Sequence, residues 1–536
     1  MAFTGPLKDA HALAEGIFRF FPDEFEPRSV LAYLRADAGQ LNSAQTLLDG
    51  LDPDKQNAPI VRTTKACQCL HNGDAEGAQE LLENVLTEIP DYLPAMLLKM
   101  RLKAGRSQWT QARHLGEKIL ARAPRCVPAQ HILGTLHLAR NEQREAELRF
   151  RSALGVDPDY TPALVNVAAI CTQQKRLDEA KEFLTKVLAL EPTRPTALTQ
   201  FALYSIGVGE LQRANAIVED LLAENAEHIS AKMVLAYLRQ KSGDTESAKR
   251  LYEEILAKYP ESAEAHFNLG LIALAEGRWK EGWEGYEHRF AVPQLGLSLR
   301  FASRNLWRNE DLEGKTLYLW IEQGLGDQMQ MWRFITRLTK MAKHVILGVS
   351  PELRRLAEAC LPKDISLFTP GKENSVPMWD YHCPLMSLPH RLGIKADDPT
   401  GDPYLFLPTN ATERARQLLQ IDADDQRLKI GLVWSGNPQY QEDRYRSMPL
   451  SAWHELAVLP NVALYSLQKG PAADELEEAD FPIVPIGTQL ADFLETAAVV
   501  QQLDLVISVD TSVAHCAGAL GKPVWIALPA IADWRW

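Results

Sequence analysis

The N-terminal half of the chain repeats a residue pattern every 34 positions, and this period restricts the possible folds more than any other feature. One register carries Ala10, Ala44, Ala78, Ala112, Ala146, Ala180, Ala214, Ala248 and Gly282. A second carries Ala32, Ala66, Met100, Gly134, Ala168, Ala202, Ala236 and Gly270. A third carries Pro90, Pro124, Pro158, Pro192 and, after a lapse at Ala226, Pro260. Three registers that agree on one period predict a stack of equivalent units.

The same columns indicate what each unit is. Two antiparallel helices need small residues where they approach closely, and a proline near the end of the unit stops the second helix. Residues 25–296 therefore resemble about eight tetratricopeptide repeats, preceded by half a repeat at residues 8–21. We expect residues 1–296 to form an α-solenoid, a superhelix with a long concave groove.

The groove carries candidate contacts for an acceptor protein. The sixth position of the first helix holds an amide in three repeats, at Asn166, Gln200 and Asn268. An amide both donates to and accepts from an extended peptide backbone, so these residues are candidates for a peptide-binding ladder. The same position holds Val30 and Leu98 in other repeats, so simple solvated polar residues remain an alternative. The repeats alone predict only a protein-binding scaffold.

Composition excludes several classes of function. A length of 536 residues predicts two or three folded units. The formal charge of −13 argues against a nucleic-acid partner, and no stretch is long and apolar enough for membrane insertion. The N-terminus lacks the basic start and apolar core of a secretory signal, so we expect a cytoplasmic protein. Seven cysteines without CxxC spacing predict reduced thiols.

Beyond residue 296 the period disappears, and β-rich runs alternate with helical stretches. This alternation predicts a parallel sheet with helices on both faces in each of two domains, 297–410 and 411–536. The strands predicted in the first domain are 315–321, 344–349 and 365–368, and its helices are 328–341 and 352–360. Those of the second domain are helix 412–419, strand 429–434, strand 462–467, helix 490–502, strand 505–508, helix 512–519 and strand 523–528.

The loop EQGLGD, residues 322–327, follows a predicted strand and precedes a helix. Gly324 and Gly326 allow a tight turn and a close approach of the backbone to a ligand. Asp327 stands at the start of the helix, where capping of the helix is the alternative to a chemical role.

The loop DTSVAH, residues 510–515, occupies the same kind of position in the second domain. Backbone N–H groups at a helix start form an anion site together with the hydroxyls of Thr511 and Ser512. Asp510 opens this loop, and His515 lies one turn into the helix, near enough to donate to a bound phosphate. The alternative is a capped helix with a buried histidine. Ligands of open parallel sheets bind beyond the carboxyl ends of the strands, where both loops lie.

Two further loops end strands of the second domain. The first carries two arginines beside small polar residues, a set suited to bidentate phosphate binding or to a solvated loop. Its candidate residues are Ser435, Asn437, Arg444, Arg446 and Ser447. In the second loop, Gln468 and Lys469 are candidate contacts for a nucleotide base or phosphate. The DxD triplet at residues 422–424 precedes a strand, which favours a solvated turn, so we expect no metal site.

Taken together, these motifs resemble those of tetratricopeptide-fused bacterial glycosyltransferases, distant relatives of the heptosyltransferases with a GT-B fold of two Rossmann-like domains. The matching segments are EQGLGD (322–327), CPLMSLP (383–389), GLVWSGNP (431–438), DRYRSMPL (443–450), SLQKG (466–470), DLVISVDTSVAHCAGALGKPVW (504–525) and DWRW (533–536).

The resemblance implies an inverting, metal-independent protein O-glycosyltransferase without a cofactor. Asp327 is then the general base, and Arg444, Arg446, Thr511, Ser512 and His515 hold the departing phosphate. Some proteins of this kind modify flagellin, which makes flagellin the expected acceptor. Pseudaminic acid is the expected sugar, with a CMP-linked donor preferred to a UDP- or GDP-linked one.

Two other classes of function stay open. One is a non-catalytic repeat adaptor whose transferase domain is degenerate. The other is a transferase that acts on a lipid or saccharide acceptor and uses its repeats for assembly. The chain ends at Trp536, directly after the last predicted strand, whereas similar proteins continue through a further helix. We therefore expect the domain at 411–536 either to be cut short or to be closed in a different way.

Overall fold

A computed structural model describes residues 6–292, 295–297, 299, 301, 304–370, 378–395, 398, 401–419, 425–438, 440 and 443–536. The contacts within the chain define two compact units, Met1–Leu238 and Arg239–Trp536. This division falls after Leu238 and does not test the three predicted domain ranges, which stay predictions.

The repeat half consists of paired helices in the predicted phase. After α1 (Leu7–Phe20), the first helix of each pair begins at residue 25, 59, 93, 127, 161, 195, 229 or 263, a constant step of 34. The first unit contains α2 (Phe25–Asp37), α3 (Leu41–Asp49), α4 (Pro59–His71), α5 (Ala75–Glu88), α6 (Leu93–Gly105), α7 (Trp109–Arg122), α8 (Val127–Ala139), α9 (Gln143–Leu154), α10 (Thr161–Gln173), α11 (Leu177–Leu190), α12 (Pro195–Val208) and α13 (Leu211–Glu224). The last pairs are α14 (Ile229–Lys241) with α15 (Thr245–Lys258), and α16 (Ala263–Ala275) with α17 (Trp279–Tyr286).

The small-residue columns lie where the two helices of a pair touch. The alanines of the first register from Ala44 to Ala248 are completely buried. A Cβ added to Gly134 would stand 2.5 Å from the ring of Phe150, and one added to Gly270 would stand 2.8 Å from the backbone of Gly285. The period therefore records the positions at which a larger side chain would push two helices apart.

The α/β half contains two parallel sheets. The strands are β1 (Thr316–Trp320), β2 (His344–Gly348), β3 (Ser366–Phe368), β4 (Tyr381–Pro384), β5 (Leu428–Val433), β6 (Val462–Ser466), β7 (Val484–Pro485), β8 (Leu505–Val509) and β9 (Val524–Ala527). The first sheet has the strand order β3-β2-β1-β4 and the second the order β7-β6-β5-β8-β9. The helices are α18 (Leu325–Met331), α19 (Ile335–Thr339), α20 (Arg354–Cys360), α21 (Leu388–Arg391), α22 (Glu413–Leu419), α23 (Asp443–Arg446), α24 (His454–Ala457), α25 (Phe493–Gln502) and α26 (Ser512–Ala519).

Several elements differ from the sequence prediction. The helix expected at 328–341 begins earlier, at Leu325, and is interrupted by the 3₁₀ turn Trp332–Phe334. The helix expected at 490–502 begins at Phe493, because the Asp492 side chain accepts hydrogen bonds from the backbone N–H groups of the first turn. Strands β4 and β7 were not predicted. Each ends in a proline, which is tolerated at the edge of a sheet, where both strands lie.

The last repeat shares a hydrophobic core with both sheets. Trp283 and Tyr286 of α17 belong to the same buried cluster as Leu317 of β1 and Val506 of β8. A buried ion pair adds to this junction, since Arg289 donates to both carboxylate oxygens of Glu322 at 3.1 and 2.8 Å. The end of the repeat array is thus built into the α/β half.

Candidate functional site

The two strand-end loops that were predicted separately are in direct contact. EQGLGD follows β1 of the first sheet, and DTSVAH follows β8 of the second. A Cβ added to Gly326 would stand 2.5 Å from Cδ2 of His515, so glycine is what allows the first loop to lie against α26. The carboxyl ends of both sheets therefore face one site.

Asp327 has two partners at this site. One carboxylate oxygen accepts from the backbone N–H of Gly324 at 2.9 Å, which caps the first turn of α18. The other lies 2.6 Å from a guanidinium nitrogen of Arg535. The side chain of Asp327 is 18% exposed. Asp327 therefore caps the helix in the structure, as the alternative prediction has it, while the role of Asp327 as a base stays a prediction.

Residues 533–536 contribute side chains that the sequence did not single out by role. Arg535 joins Asp327 to Asp533, whose carboxylate lies 2.8 Å from the guanidinium. The ring of Trp536 lies 4.7 Å from that of His515. The segment carries a family resemblance, but nothing local in its sequence indicates an ion pair with a loop that follows β1.

The DTSVAH loop combines hydroxyls with a neutral histidine. The hydroxyl of Thr511 shares a hydrogen bond of 2.8 Å with that of Ser508, and Ser512 opens α26 half-buried. Burial, aided by the charge of nearby Arg535, lowers the pKa of His515 to about 4. The imidazole is therefore neutral near pH 7 and carries a single N–H for a ligand.

Asp510 places a carboxylate at the opening of the same loop. It lies 3.8 Å from Arg446. Burial raises the pKa of Asp510, while Arg446 and a hydrogen bond from Trp536 act in the opposite direction. The cationic charge of Arg446 is thus shared with the protein's own carboxylates before any ligand binds.

The two arginines of the next loop occupy different environments. Arg446 also lies 3.0 Å from Asp443, which accepts a hydrogen bond from Ser447. Arg444 donates to the hydroxyl of Tyr445 and lies over that ring, in an exposed position. Of the two guanidiniums, Arg446 is the one placed beside the DTSVAH loop.

The remaining predicted residues of the second sheet support the loops or lie at the surface. Gln468 is 2% exposed and accepts from the backbone N–H groups of Trp434 and Ser435 at 3.1 and 3.0 Å. Lys469 donates to the carbonyl of Leu490 at 2.6 Å. Asn437 is exposed. Gln468 and Lys469 hold the backbone around the site, and contact between any of the three and a nucleotide stays a prediction.

The predicted acceptor residues are divided between the two units, with Asn166 and Gln200 in the first and Asn268 in the second. The amide of Asn166 donates to the carbonyl of Pro162 and lies 3.0 Å from Nε2 of His131. Gln200 and Asn268 are half-buried. Asn166 thus contacts its own helix and the first helix of the preceding repeat, and a shared peptide ladder stays a prediction.

The first unit contains a polar cluster that sequence reasoning missed. Arg101 of α6 pairs with Asp37 of α2, two repeats earlier. Burial raises the pKa of nearby Tyr160 to about 12, although Arg101 acts in the opposite direction. Burial likewise lowers the pKa of His131 to about 4. A cation at this position recurs in no other repeat of the sequence, so the period gave no signal for it.

The cysteines and the possible metal ligands bear on redox and metal chemistry. All seven cysteines lie in the described part of the chain and are free thiols. Among the described residues, no set of three or more His, Cys, Asp or Glu side chains is arranged to hold a metal ion. The DxD triplet at 422–424 lies outside the described residues. No helix in the described ranges has the length and apolarity needed to cross a bilayer.

Comparison with known proteins identifies the repeats. The model of a tetratricopeptide repeat matches residues 137–199, and a second one matches residues 233–282. The chain therefore contains tetratricopeptide repeats, as its period predicts. Two solved structures are similar to part of the chain at low identity. A Pseudomonas aeruginosa pilF structure is 19% identical, with a TM-score of 0.33, over 40% of this chain and 96% of that chain. A thermophilic tetratricopeptide-repeat protein of Thermus thermophilus is 22% identical, with a TM-score of 0.30, over 34% of this chain and 98% of that one.

One curated protein is similar over a longer stretch. Protein FlbA of Caulobacter vibrioides (strain ATCC 19089 / CIP 103742 / CB 15) is 28% identical over 295 residues. The match covers 50% of this chain and 48% of FlbA, so the chain spans about half the length of that relative.

Proposed function

We propose that this protein is an inverting protein O-glycosyltransferase with a GT-B arrangement of its two sheets. It moves a sugar from a nucleotide-sugar to a serine or threonine of a protein that the repeats recruit. The observation that carries the proposal is the contact between the EQGLGD and DTSVAH loops. It joins a carboxylate from one sheet to the hydroxyls and helix start of the other.

In this reaction the acceptor hydroxyl oxygen attacks the anomeric carbon of the donor. The bond between that carbon and the phosphate oxygen breaks, and its electron pair leaves with the nucleotide. Asp327 takes the proton of the hydroxyl as the new bond forms. Among the described residues, each oxygen of Asp327 has one polar partner, so a second lone pair on each can accept that proton.

The leaving phosphate gains negative charge, which the second sheet is equipped to stabilise. The helix start at Ser512, the hydroxyl of Thr511, the neutral imidazole of His515 and the guanidinium of Arg446 lie around one loop. Donors fixed before the reaction stabilise the developing charge without having to reorganise. Arg446 then exchanges part of its pairing with Asp510 for the phosphate.

The sugar and the acceptor follow from the family resemblance. We assign a CMP-linked nonulosonic acid, pseudaminic acid, as the donor and flagellin as the acceptor. A repeat array supplies the extended surface that recognition of a folded acceptor requires. UDP- and GDP-linked sugars are the alternative donors.

Intact-mass spectrometry tests the proposal. Purified flagellin is incubated with the protein and CMP-pseudaminic acid, or with a UDP- or GDP-linked sugar in parallel reactions. We expect a mass increase of one or more sugar residues. Asp327→Asn abolishes it while CMP affinity, measured by calorimetry, stays within about threefold, because the amide keeps the shape but takes no proton. Near-normal turnover by Asp327→Asn would remove Asp327 as the base.

A non-catalytic adaptor is the second candidate, and one observation favours it. Both oxygens of Asp327 already have partners, Gly324 and Arg535, as in a purely structural carboxylate. The same experiment separates the two functions. An adaptor binds CMP and captures flagellin without any change in the mass of flagellin under every donor tested.

A further inference from the structure

The candidate base is held by a short segment from the far end of the chain. The guanidinium of Arg535 lies 2.6 Å from Asp327 and 2.8 Å from Asp533. Its side chain is only 11% exposed. Burial alone would lower the pKa of Arg535, but the two carboxylates outweigh it and leave the pKa well above its usual value. Arg535 is therefore a fixed cation between two anions.

The last repeat in turn holds this segment. The guanidinium carbon of Arg535 lies over the ring of Trp534, 4.3 Å from the centre of that ring. The same ring packs edge-on against Trp283 at 5.0 Å and lies 6.0 Å from Tyr286, both on α17. Tyr286 also reaches the EQGLGD loop, because its hydroxyl accepts from Gln323 at 2.7 Å. Both sides of the ion pair thus rest on one repeat helix.

We propose that Arg535 is a positioning residue for Asp327, and that the last repeat, through Trp534, fixes it in place. This inference rests on the proposed function, because it assigns a role to Arg535 only if Asp327 takes a proton. The last repeat then belongs to the transfer machinery and is more than a surface for the acceptor.

The geometry explains what positioning achieves. The carboxylate of an aspartate can rotate about two side-chain bonds. A base that rotates freely spends little of its time with a lone pair directed at the acceptor hydroxyl. Gly324 holds one oxygen of Asp327 and Arg535 holds the other, so the plane of the carboxylate is set. The guanidinium of Arg535 also lies beside both Asp327 and Asp533. Without this cation, the negative charges of the two carboxylates would be left uncompensated.

A rival role for Arg535 is direct contact with the donor phosphate. The two roles differ in what they change. A phosphate contact contributes to CMP affinity, whereas a positioning contact affects turnover and leaves nucleotide affinity nearly unchanged. Measuring both quantities in the same variants therefore decides between them.

The test uses the full chain with CMP-pseudaminic acid and flagellin. Arg535→Ala and Arg535→Lys are compared with Arg427→Ala, a control at an exposed arginine that pairs with nearby Asp425. We expect Arg535→Ala to lower kcat about tenfold to a hundredfold, the loss typical of one charge-assisted hydrogen bond. Arg535→Lys should fall between it and the wild type, and the control should match the wild type.

Rescue separates positioning from misfolding. Millimolar guanidinium chloride added to Arg535→Ala should restore part of kcat, because the ion can occupy the vacated space between the carboxylates. CMP affinity should stay within about threefold in both variants, and this also reports that the nucleotide site is folded. Trp534→Leu, which removes the support under the guanidinium, should lower kcat in the same direction.

Each other outcome overturns the inference in a distinguishable way. Full kcat in Arg535→Ala, with Asp327→Asn inactive, rejects positioning and leaves the proposed function standing. A tenfold or greater loss of CMP affinity with unchanged kcat assigns Arg535 to the donor. Loss of both kcat and CMP affinity without guanidinium rescue assigns it a structural role. Absence of transfer by the wild type under every donor rejects the proposed function together with the inference.

Discussion

Replacing Arg289 by methionine should strongly destabilise the second unit, and the structure gives the size of the effect. Arg289 has no exposed surface and donates to both oxygens of Glu322, which is itself 2% exposed. It also donates to Glu287 and Ser387 at 2.9 and 2.8 Å. Methionine fills much of the same volume but carries no charge, so the variant isolates the loss of the cation.

The cost arises mainly at Glu322. Removing one partner of a buried ion pair costs about 3–5 kcal/mol, because the other charge stays buried without compensation. The cost in stability at Glu287 is smaller, since Arg391 still lies 2.7 Å from this carboxylate. At a urea slope near 3 kcal/mol/M, the unfolding midpoint should fall by about 1–2 M. Adding Glu322→Gln to Arg289→Met should recover part of that loss by removing the uncompensated charge.

The loss of stability caused by Arg289→Met should also depend on pH. Burial raises the pKa of Glu322 above its usual value although Arg289 and a hydrogen bond from the backbone N–H of Met386 oppose the shift, and removing Arg289 takes away the larger of these two opposing effects. A folded-state pKa above the unfolded one means that the folded protein binds the proton more tightly. The destabilisation of Arg289→Met should therefore be largest at neutral pH. It should shrink as the pH falls from the folded-state pKa of Glu322 towards the unfolded-state one, below which both states bind the proton.

Tryptophan fluorescence is the assay, because eleven of the twelve tryptophans lie in the second unit and only Trp109 lies outside it. Arg427→Ala, at an exposed ion pair, is the control and should leave the midpoint unchanged. An unchanged midpoint in Arg289→Met would refute the argument that Glu322 is left as a buried charge. A double variant no more stable than the single one would refute it equally.

Four further outcomes are expected. Arg446→Ala should weaken CMP binding at least about tenfold by calorimetry, whereas Arg444→Ala, at an exposed position, should have a smaller effect; equal effects would contradict the placement of these side chains. Gly326→Ala should lower the melting temperature in calorimetry, because its Cβ would stand 2.5 Å from His515. Acidification from about pH 6.5 to about 4 should destabilise the second unit, since the folded imidazole of His515 resists protonation until about 4; His515→Gln should remove that part of the pH dependence, and superimposable curves would count against it. Removing residues 1–228 should leave the second unit folded by circular dichroism with CMP binding intact, because that unit begins at Arg239.

The repeats could be predicted from the sequence because their packing is local and recurs. Each close approach between two helices of a pair returns after one repeat, so Ala44 and its equivalents form a visible column. The strand-end loops were predictable for a related reason. Glycines and helix-start residues after an apolar run mark a turn wherever they occur, as in EQGLGD and DTSVAH. Strand β4 was missed because it is short and ends in a proline, which resembles a loop.

The sequence by itself determined the helical pairs, their phase and the position of both loops after strands, since each of these depends on neighbours along the chain or on contacts repeated many times. Only the tertiary structure decided which groups meet at the site. Asp327 pairs with Arg535, Gln468 turns inward to hold the backbone at Ser435, and Trp534 packs on the last repeat. Each of these contacts occurs once, between segments distant in the chain. A contact made once leaves no period or local pattern, so the fold has to bring its two partners together before it can be recognised.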